Sequence, residues 1–205
     1  MGGISRAALV SRAARGGALV ALSSAGAGAL AASAGAATRA SGPISDADLA
    51  LARLAVGAEL LAVDFYGQAI DSNLFRGDQL KTLKRILFNE QEHLTAVSGI
   101  LTGAGQVPST ADDLDIGYPQ GSFATPASIA RLGVTLETAF VGIAIGAAAA
   151  YTPVDLRQAF ASIAASEAEH LAFLSGLATG RPVGISFPVA LDPAAAADAL
   201  APYLS

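Results

Sequence analysis

From residue 45 onward the chain is written in the rhythm of helices. Leu49, Leu51, Leu54, Val56, Leu60, Leu61 and Phe65 recur at three- and four-residue spacing, an apolar face that predicts a helix from Asp46 to about Leu74. Ser45 stands where it can cap this helix, and Asp46 and Asp48 put negative charge at the positive end of its dipole. Arg76-Gly77-Asp78 breaks the run, with Asp78 predicted to cap a second helix that reaches Thr102-Gly103. The stretch GAGQVPSTADDLDIGYPQGSFA has no periodicity and is rich in Gly, Pro and Asp, which predicts a long loop. Thr125-Pro126 and Thr152-Pro153 each read as a cap followed by a first turn, opening third and fourth helices that end near Tyr151 and Gly180. The tail GISFPVALDPAAAADALAPYLS predicts an extended piece and then a short helix opened by Asp192-Pro193. Strand alternation recurs nowhere else, so the fold class is all-α.

Loop lengths decide which helices are neighbours. Short links join the first helix to the second and the third to the fourth, so each pair should fold as an antiparallel hairpin. The link between the hairpins is long. A helix of this size spans roughly 39 Å, whereas some 20 extended residues reach at most about 70 Å. The link can therefore run back along the bundle and start the third helix at the far end. The expected architecture is a four-helix bundle with one long crossover between helices two and three, over residues 45–180. Residues 181–205 would form a C-terminal extension with its short helix.

Residues 1–40 are of a different kind. Arg6, Arg12 and Arg15 precede GGALVALSSAGAGALAASAGAAT, which has no charge until Arg39, and small-residue ends such as Ala32-Ser33-Ala34 follow. This pattern predicts an export signal, removed on cleavage, with an uncleaved membrane anchor or a tail as the alternatives. Its weak hydropathy resembles twin-arginine leaders, although the arginines stand as Arg12-Ala-Ala-Arg15 rather than adjacent. The protein is therefore expected in the periplasm, the cell envelope or outside the cell, and at a membrane only if the segment is retained.

Composition sharpens the question of chemistry. The chain of 205 residues has no cysteine, which excludes disulfides, thiolate metal sites and a cysteine nucleophile. Net charge is −5, with no basic run, so nucleic acid is not expected as a partner. Charged residues are 14% of the chain, against the usual quarter, so each one inside an apolar segment asks for a reason. Two segments stand out, NEQEHLTAVSGILTG at residues 89–103 and SEAEHLAFLSGLATG at residues 166–180; they agree at eight of fifteen positions and hold the only two histidines.

On a helix, Glu90 and His93 share a face, as do Glu167 and His170. A single Glu-x-x-His arises often on solvated surfaces. Here there are two, and the other helices each hold one glutamate: Glu59 in the first and Glu137 in the third. Residues equidistant from a hairpin turn lie at one height. The midpoint between Glu59 and Glu90/His93 falls near residue 75, and that between Glu137 and Glu167/His170 near residue 153, both at predicted turns. Four carboxylates and two imidazoles should then meet in the bundle centre. Unpaired, such anions would cost several kcal/mol each to bury. Two divalent cations bring four positive charges, and oxygen and imidazole donors suit iron or manganese, and also zinc. One glutamate from each of two helices plus Glu-x-x-His from the other two is a di-metal carboxylate set.

On these residues the chain resembles the ferritin-like domain family, in particular bacterial members related to desiccation-associated proteins; ISFPVALDPAAAADAL is similar to that group's C-terminal extension. The resemblance implies a site of two iron ions, or manganese. One would be held mainly by Glu59 and His93, the other by Glu137 and His170, with Glu90 and Glu167 bridging. Tyr66, two turns beyond Glu59, would be a catalytic residue that hydrogen-bonds a ligand or donates an electron, or else a bundle tyrosine with its hydroxyl at the rim. Dioxygen or peroxide would be the small-molecule partner, in ferroxidase-like or peroxide-consuming chemistry under oxidative or desiccation stress. A homo-oligomer is compatible with this reading. The alternatives are a di-manganese catalase, an oxygenase with a channel past Gly142, Gly146 and Ala147, and a structural or binding protein that uses metals only as a staple. Glu92 and Glu169 lie about 200° round the helix from the neighbouring ligand glutamates and read as flank residues. Gly142 and Gly146 predict close helix packing, and Asp112, Asp113 and Asp115 a solvated turn.

Overall fold

The computed structural model describes residues 44–204; the leader expected at residues 1–40 lies outside them. Among the described residues five α-helices form: α1 Asp46–Asp71, α2 Gly77–Gly103, α3 Pro126–Ala150, α4 Val154–Thr179 and α5 Pro193–Leu200. A short 3-10 turn, Ala111–Asp113, interrupts the crossover, where Asp113 caps the turn opened by Thr110. Among the described residues there is no strand, only an isolated bridge between Ile116 and Leu204.

Helices α1 and α2 pack as one hairpin and α3 and α4 as the other; the hairpins meet through α1 with α3 and α2 with α4. Long-range hydrogen bonds trace the crossover. At the foot of α1, Arg53 donates to Gln106, just past the end of α2. Higher up, the Tyr118 hydroxyl donates to Asp64. The chain then starts α3 at the far end and descends, so that Thr152 returns to the foot and its N–H reaches Asp48 at 2.9 Å. The crossover thus traverses the bundle as its length allows.

Three boundaries differ from the sequence reading. Helix α1 stops at Asp71 rather than Leu74, because Ser72 turns its hydroxyl to the Ala69 carbonyl and Asn73 takes a left-handed backbone (φ 56°). Helix α2 begins at Gly77 with Arg76 at its cap, so Asp78 lies inside the first turn, bonded to Lys81, and does not cap it. Helix α4 begins at Val154 with Pro153 as the cap residue, since Thr152 is drawn back to Asp48. Thr125 and Asp192 cap α3 and α5 as expected, and Gly180 ends α4 in the left-handed region.

Apolar side chains collect in two regions, one toward each end of the bundle. The first contains Phe65, Leu83, Ile86, Phe140 and Leu174. The second contains Val56, Val97, Ile100, Leu156, Phe160 and Ile163. Helices α2 and α4 each pass from one region to the other at their Glu-x-x-His. Helix α3 is long and apolar enough to cross a membrane by length and composition, but Glu137 is buried at its middle and it packs on α1, α4 and α5 as the core helix.

Gly142 and Gly146 of α3 do not serve a helix crossing. They receive the C-terminal extension. The Leu191 N–H donates to the Gly142 carbonyl at 2.9 Å, and a Cβ on Gly146 would collide with the Leu191 carbonyl oxygen. The extension therefore lies where an oxygenase channel past these glycines would have run.

Candidate metal centre

All six predicted ligand residues converge between the two apolar regions. Glu90, His93 and Glu137 are fully buried, Glu167 and His170 nearly so, and Glu59 is 7% exposed, the least enclosed of the six. Their donor atoms form two groups, Glu59, Glu90, His93 and Glu167 in one, and Glu90, Glu137, Glu167 and His170 in the other; within each, the atoms lie within 4.8 Å of one another. Glu90 and Glu167 belong to both. That division is the one the resemblance implies for its bridging glutamates.

Both imidazoles turn Nδ1 inward. His93 Nδ1 lies 2.9 Å from Glu167, 3.4 Å from Glu90 and 3.7 Å from Glu59. His170 Nδ1 lies 2.8 Å from Glu90, 3.1 Å from Glu167 and 4.0 Å from Glu137. Of these contacts only His170 with Glu167 has hydrogen-bond geometry. Both Glu90 oxygens, both His93 ring nitrogens and Glu137 Oε2 are buried without a hydrogen-bond partner. Buried polar atoms normally find partners, and leaving one unmade costs about 1–3 kcal/mol. Here the Glu90 oxygens, His93 Nδ1 and Glu137 Oε2 gather within the two donor groups without hydrogen bonds to satisfy them. Such a set fits two cations, and the surrounding apolar regions keep it dry.

Electrostatics say the same. Burial and the charges of Glu167 and Glu90 raise Glu137 well above the usual carboxylate range. Burial also raises Glu59 well above that range, with His93 opposing and Glu167 and Glu90 adding. For His93, burial favours the neutral ring, but Glu167, Glu90 and Glu59 outweigh it and lift the pKa to about 11. His170 goes to about 9 by the same contest, with Glu167 and Glu90 winning. Glu167 is held far below its ordinary value because the two histidines overcome the effect of burial. Without metal, then, the cluster holds itself together by retaining protons.

Tyr66 is fully buried, and its hydroxyl donates a short hydrogen bond to Glu137 Oε1. The rim alternative for this tyrosine is thereby excluded. With Oε1 taken, Oε2 is the oxygen of Glu137 left free. Burial and the nearby Glu137 charge raise the Tyr66 pKa, so the phenol stays protonated as a donor.

Two polar residues were missed in the sequence. Asn89 and Ser166 approach His170 Nε2 at 3.3 and 3.4 Å and orient the ring from behind. Each directly precedes a ligand glutamate and opens its copy of the repeated segment, a matched polar position that could have signalled them. Glu92 is half-buried and Glu169 exposed; neither joins the cluster nor forms an ion pair among the described residues. Asp112, Asp113 and Asp115 are exposed in the crossover, as a solvated turn should be.

Among curated proteins no match is found. The model of a ferritin-like domain matches residues 47–179, which run from the first turn of α1 to the last residue of α4 and include every residue of the centre. With that match covering most of the chain, and the bundle and its buried carboxylate–histidine cluster in agreement, the chain belongs to the ferritin-like domain family.

Proposed function

We propose that the protein holds two iron ions in this cluster and uses them in ferroxidase-like or peroxide-consuming chemistry, in defence against oxidative or desiccation stress outside the cytoplasm. The observation that carries the reading is the pair of donor groups sharing Glu90 and Glu167, with both Glu90 oxygens, His93 Nδ1 and Glu137 Oε2 buried and unpartnered. Glu59 and His93 would hold one ion, Glu137 and His170 the other, and Glu90 and Glu167 would bridge. The absence of thiolate and the mix of carboxylate and imidazole favour iron or manganese over softer metals. Bound there, a pair of ferrous ions would supply electrons to dioxygen or peroxide.

The chain's own residues set the conditions for that chemistry. Four carboxylates balance two divalent charges. Tyr66 fixes the orientation of Glu137, while Asn89 and Ser166 fix that of His170. Phe140, Leu83 and Ile86 on one side and Val97, Phe160 and Ile163 on the other exclude water. Glu59, the least enclosed of the six, is the natural point of entry for ions.

Metal analysis of protein purified from its own host tests the reading first, with two irons per chain expected. Oxygen or peroxide consumption on addition of ferrous iron to the metal-free protein tests it second. Metal that raises the melting temperature but consumes neither oxidant would sink the redox function and leave a metal-stapled bundle. Mass spectrometry of the mature N-terminus checks export, which predicts cleavage before residue 45.

A further inference from the structure

Three of the four tyrosines form one line of rings, and the line begins at the centre. Tyr66 touches Glu137 through its hydroxyl and packs edge-on against Phe65, ring centres 5.0 Å apart. Phe65 lies 6.5 Å from Tyr118, and Tyr118 lies 6.1 Å from Tyr203. Tyr66 is fully buried, whereas Tyr118 and Tyr203 are half-exposed. The fourth tyrosine, Tyr151, packs on Phe160 in the other apolar region.

Backbone contacts hold the outer rings in register. The Gly117 N–H donates to the Tyr203 carbonyl at 3.0 Å, and Ile116 bridges to Leu204, so the C-terminal turn is fastened to the crossover beside Tyr118. Packing alone would be satisfied by phenylalanine at the inner positions. Instead each inner hydroxyl ends on a carboxylate: Tyr66 on Glu137, and Tyr118 on Asp64 Oδ1 at 2.9 Å, where the Gln68 amide also donates. A phenol loses an electron far more readily when a base stands ready for its proton. Tyr118 also lines an open groove of about 420 Å³ with Gln68, Ser122 and Phe123, where small solutes can reach it.

We propose that Tyr66, Tyr118 and Tyr203 form an electron relay between the candidate metal centre and the surface, with Phe65 as the intervening ring. The proposal rests on the di-metal reading and names the route by which the centre is re-reduced or discharged. With metal bound, Glu137 would be ionised as a ligand, and Tyr66 would give up one electron toward the centre as its O–H bond breaks and the proton crosses to Glu137. The Tyr66 phenoxyl takes an electron from Tyr118 and recovers its proton from Glu137. The Tyr118 proton passes to Asp64. Tyr118 recovers its proton from Asp64 as it is reduced by a one-electron reductant of the phenol or hydroquinone class in the groove, or by Tyr203, which releases its proton to water and is restored by the same class of reductant from solution.

The deciding experiment needs no redox-active metal. In the full-length protein loaded with zinc, which keeps Glu137 ionised and is confirmed by metal analysis, 3-aminotyrosine in place of Tyr66 is an easily oxidised trap that solvent cannot reach. A ruthenium polypyridyl photo-oxidant with persulfate oxidises the exposed tyrosines, and electron paramagnetic resonance reads the aminotyrosyl radical. The relay predicts a clear radical signal in the parent, its loss with Tyr118→Phe, which keeps the ring and its packing, and a marked decrease with Asp64→Asn. Tyr151→Phe should leave the signal unchanged. Circular dichroism establishes that each variant is folded, and Tyr203→Phe, expected to lower the signal, is the second variant if Tyr118→Phe is not. An undiminished signal with Tyr118→Phe, or no signal in the parent, overturns the relay. Success here together with no peroxide consumption by the iron-loaded parent overturns the di-metal reading instead, so the two failures are separable.

Discussion

Filling the centre with metal should expel protons, and their number follows from the structure. Metal ligands must be deprotonated. At pH 7 both histidines of the metal-free protein are charged, His93 with a pKa of about 11 and His170 of about 9. These two groups alone release about two protons when two divalent ions bind. Glu59 and Glu137, both raised well above the usual range by burial, contribute up to about two more. The upper figure leaves the charge of the cluster unchanged, because two divalent ions bring as much positive charge as four protons remove. Each proton released makes overall affinity rise about tenfold per pH unit, so two protons make loading between pH 6 and 7 more favourable by about 2.7 kcal/mol. The dependence should flatten as pH rises through about 9, where His170 deprotonates unaided. Anaerobic calorimetry with ferrous or manganous ion at pH 7, repeated in buffers of different ionisation enthalpy, gives the proton count as a slope. Release of fewer than about two protons, or loading indifferent to pH, would refute this account of how the cluster survives without metal.

Other consequences are independent of that count. Glu90→Gln keeps the shape of a side chain shared by both donor groups, so it should disturb both ions, whereas Glu59→Gln should weaken only one; metal per chain after gel filtration distinguishes them. Asp48 is buried, which alone would raise its pKa, but hydrogen bonds from Thr152 and Ser45 overcome this and lower it. A lowered folded-state pKa stabilises above the unfolded value and loses that effect as pH falls through the folded one. Asp48→Asn should therefore cost about 1–3 kcal/mol at pH 7, with the difference shrinking in urea titrations as the pH drops below about 4. Gly146→Ala places a methyl group against the Leu191 carbonyl, where backbone must move. A cost of about 1–3 kcal/mol and faster proteolysis within residues 181–192 are expected.

What the sequence disclosed and what it hid follow one division. The helices, their pairing and the convergence of the six candidate residues were legible because each depends on spacing along the chain: apolar residues at three and four, glutamate and histidine at three, and equal distances from two turns. The Thr152-Pro153 boundary was misread because Asp48, 104 positions away, captures the Thr152 N–H. Gly142 and Gly146 were rightly read as a close approach, but the approaching partner was an extended strap rather than a helix, and composition does not distinguish the two. Tyr66 lay on the correct face by its seven-residue step from Glu59. Its bond to Glu137 depended on how α1 meets α3, which local pattern does not specify.

That bond carries the last prediction. Glu137 has two oxygens in a dry interior, and Tyr66 takes one of them, so the other faces the cluster without a partner. Tyr66→Phe keeps the ring and its edge contact with Phe65 but frees the carboxyl to rotate. A hydrogen bond to an ionised group contributes about 1.5–3 kcal/mol. If about half of that is orientation gained on loading, the ion at Glu137 and His170 should bind about four- to tenfold more weakly. The ion at Glu59 and His93 lacks this contact and should be little affected. Manganous ion followed by electron paramagnetic resonance resolves the two binding steps. Equal weakening of both steps would mean that Tyr66 acts on the fold as a whole. No weakening of either would mean that Glu137 is held by the bundle alone, and the orienting role given to Tyr66 would be lost.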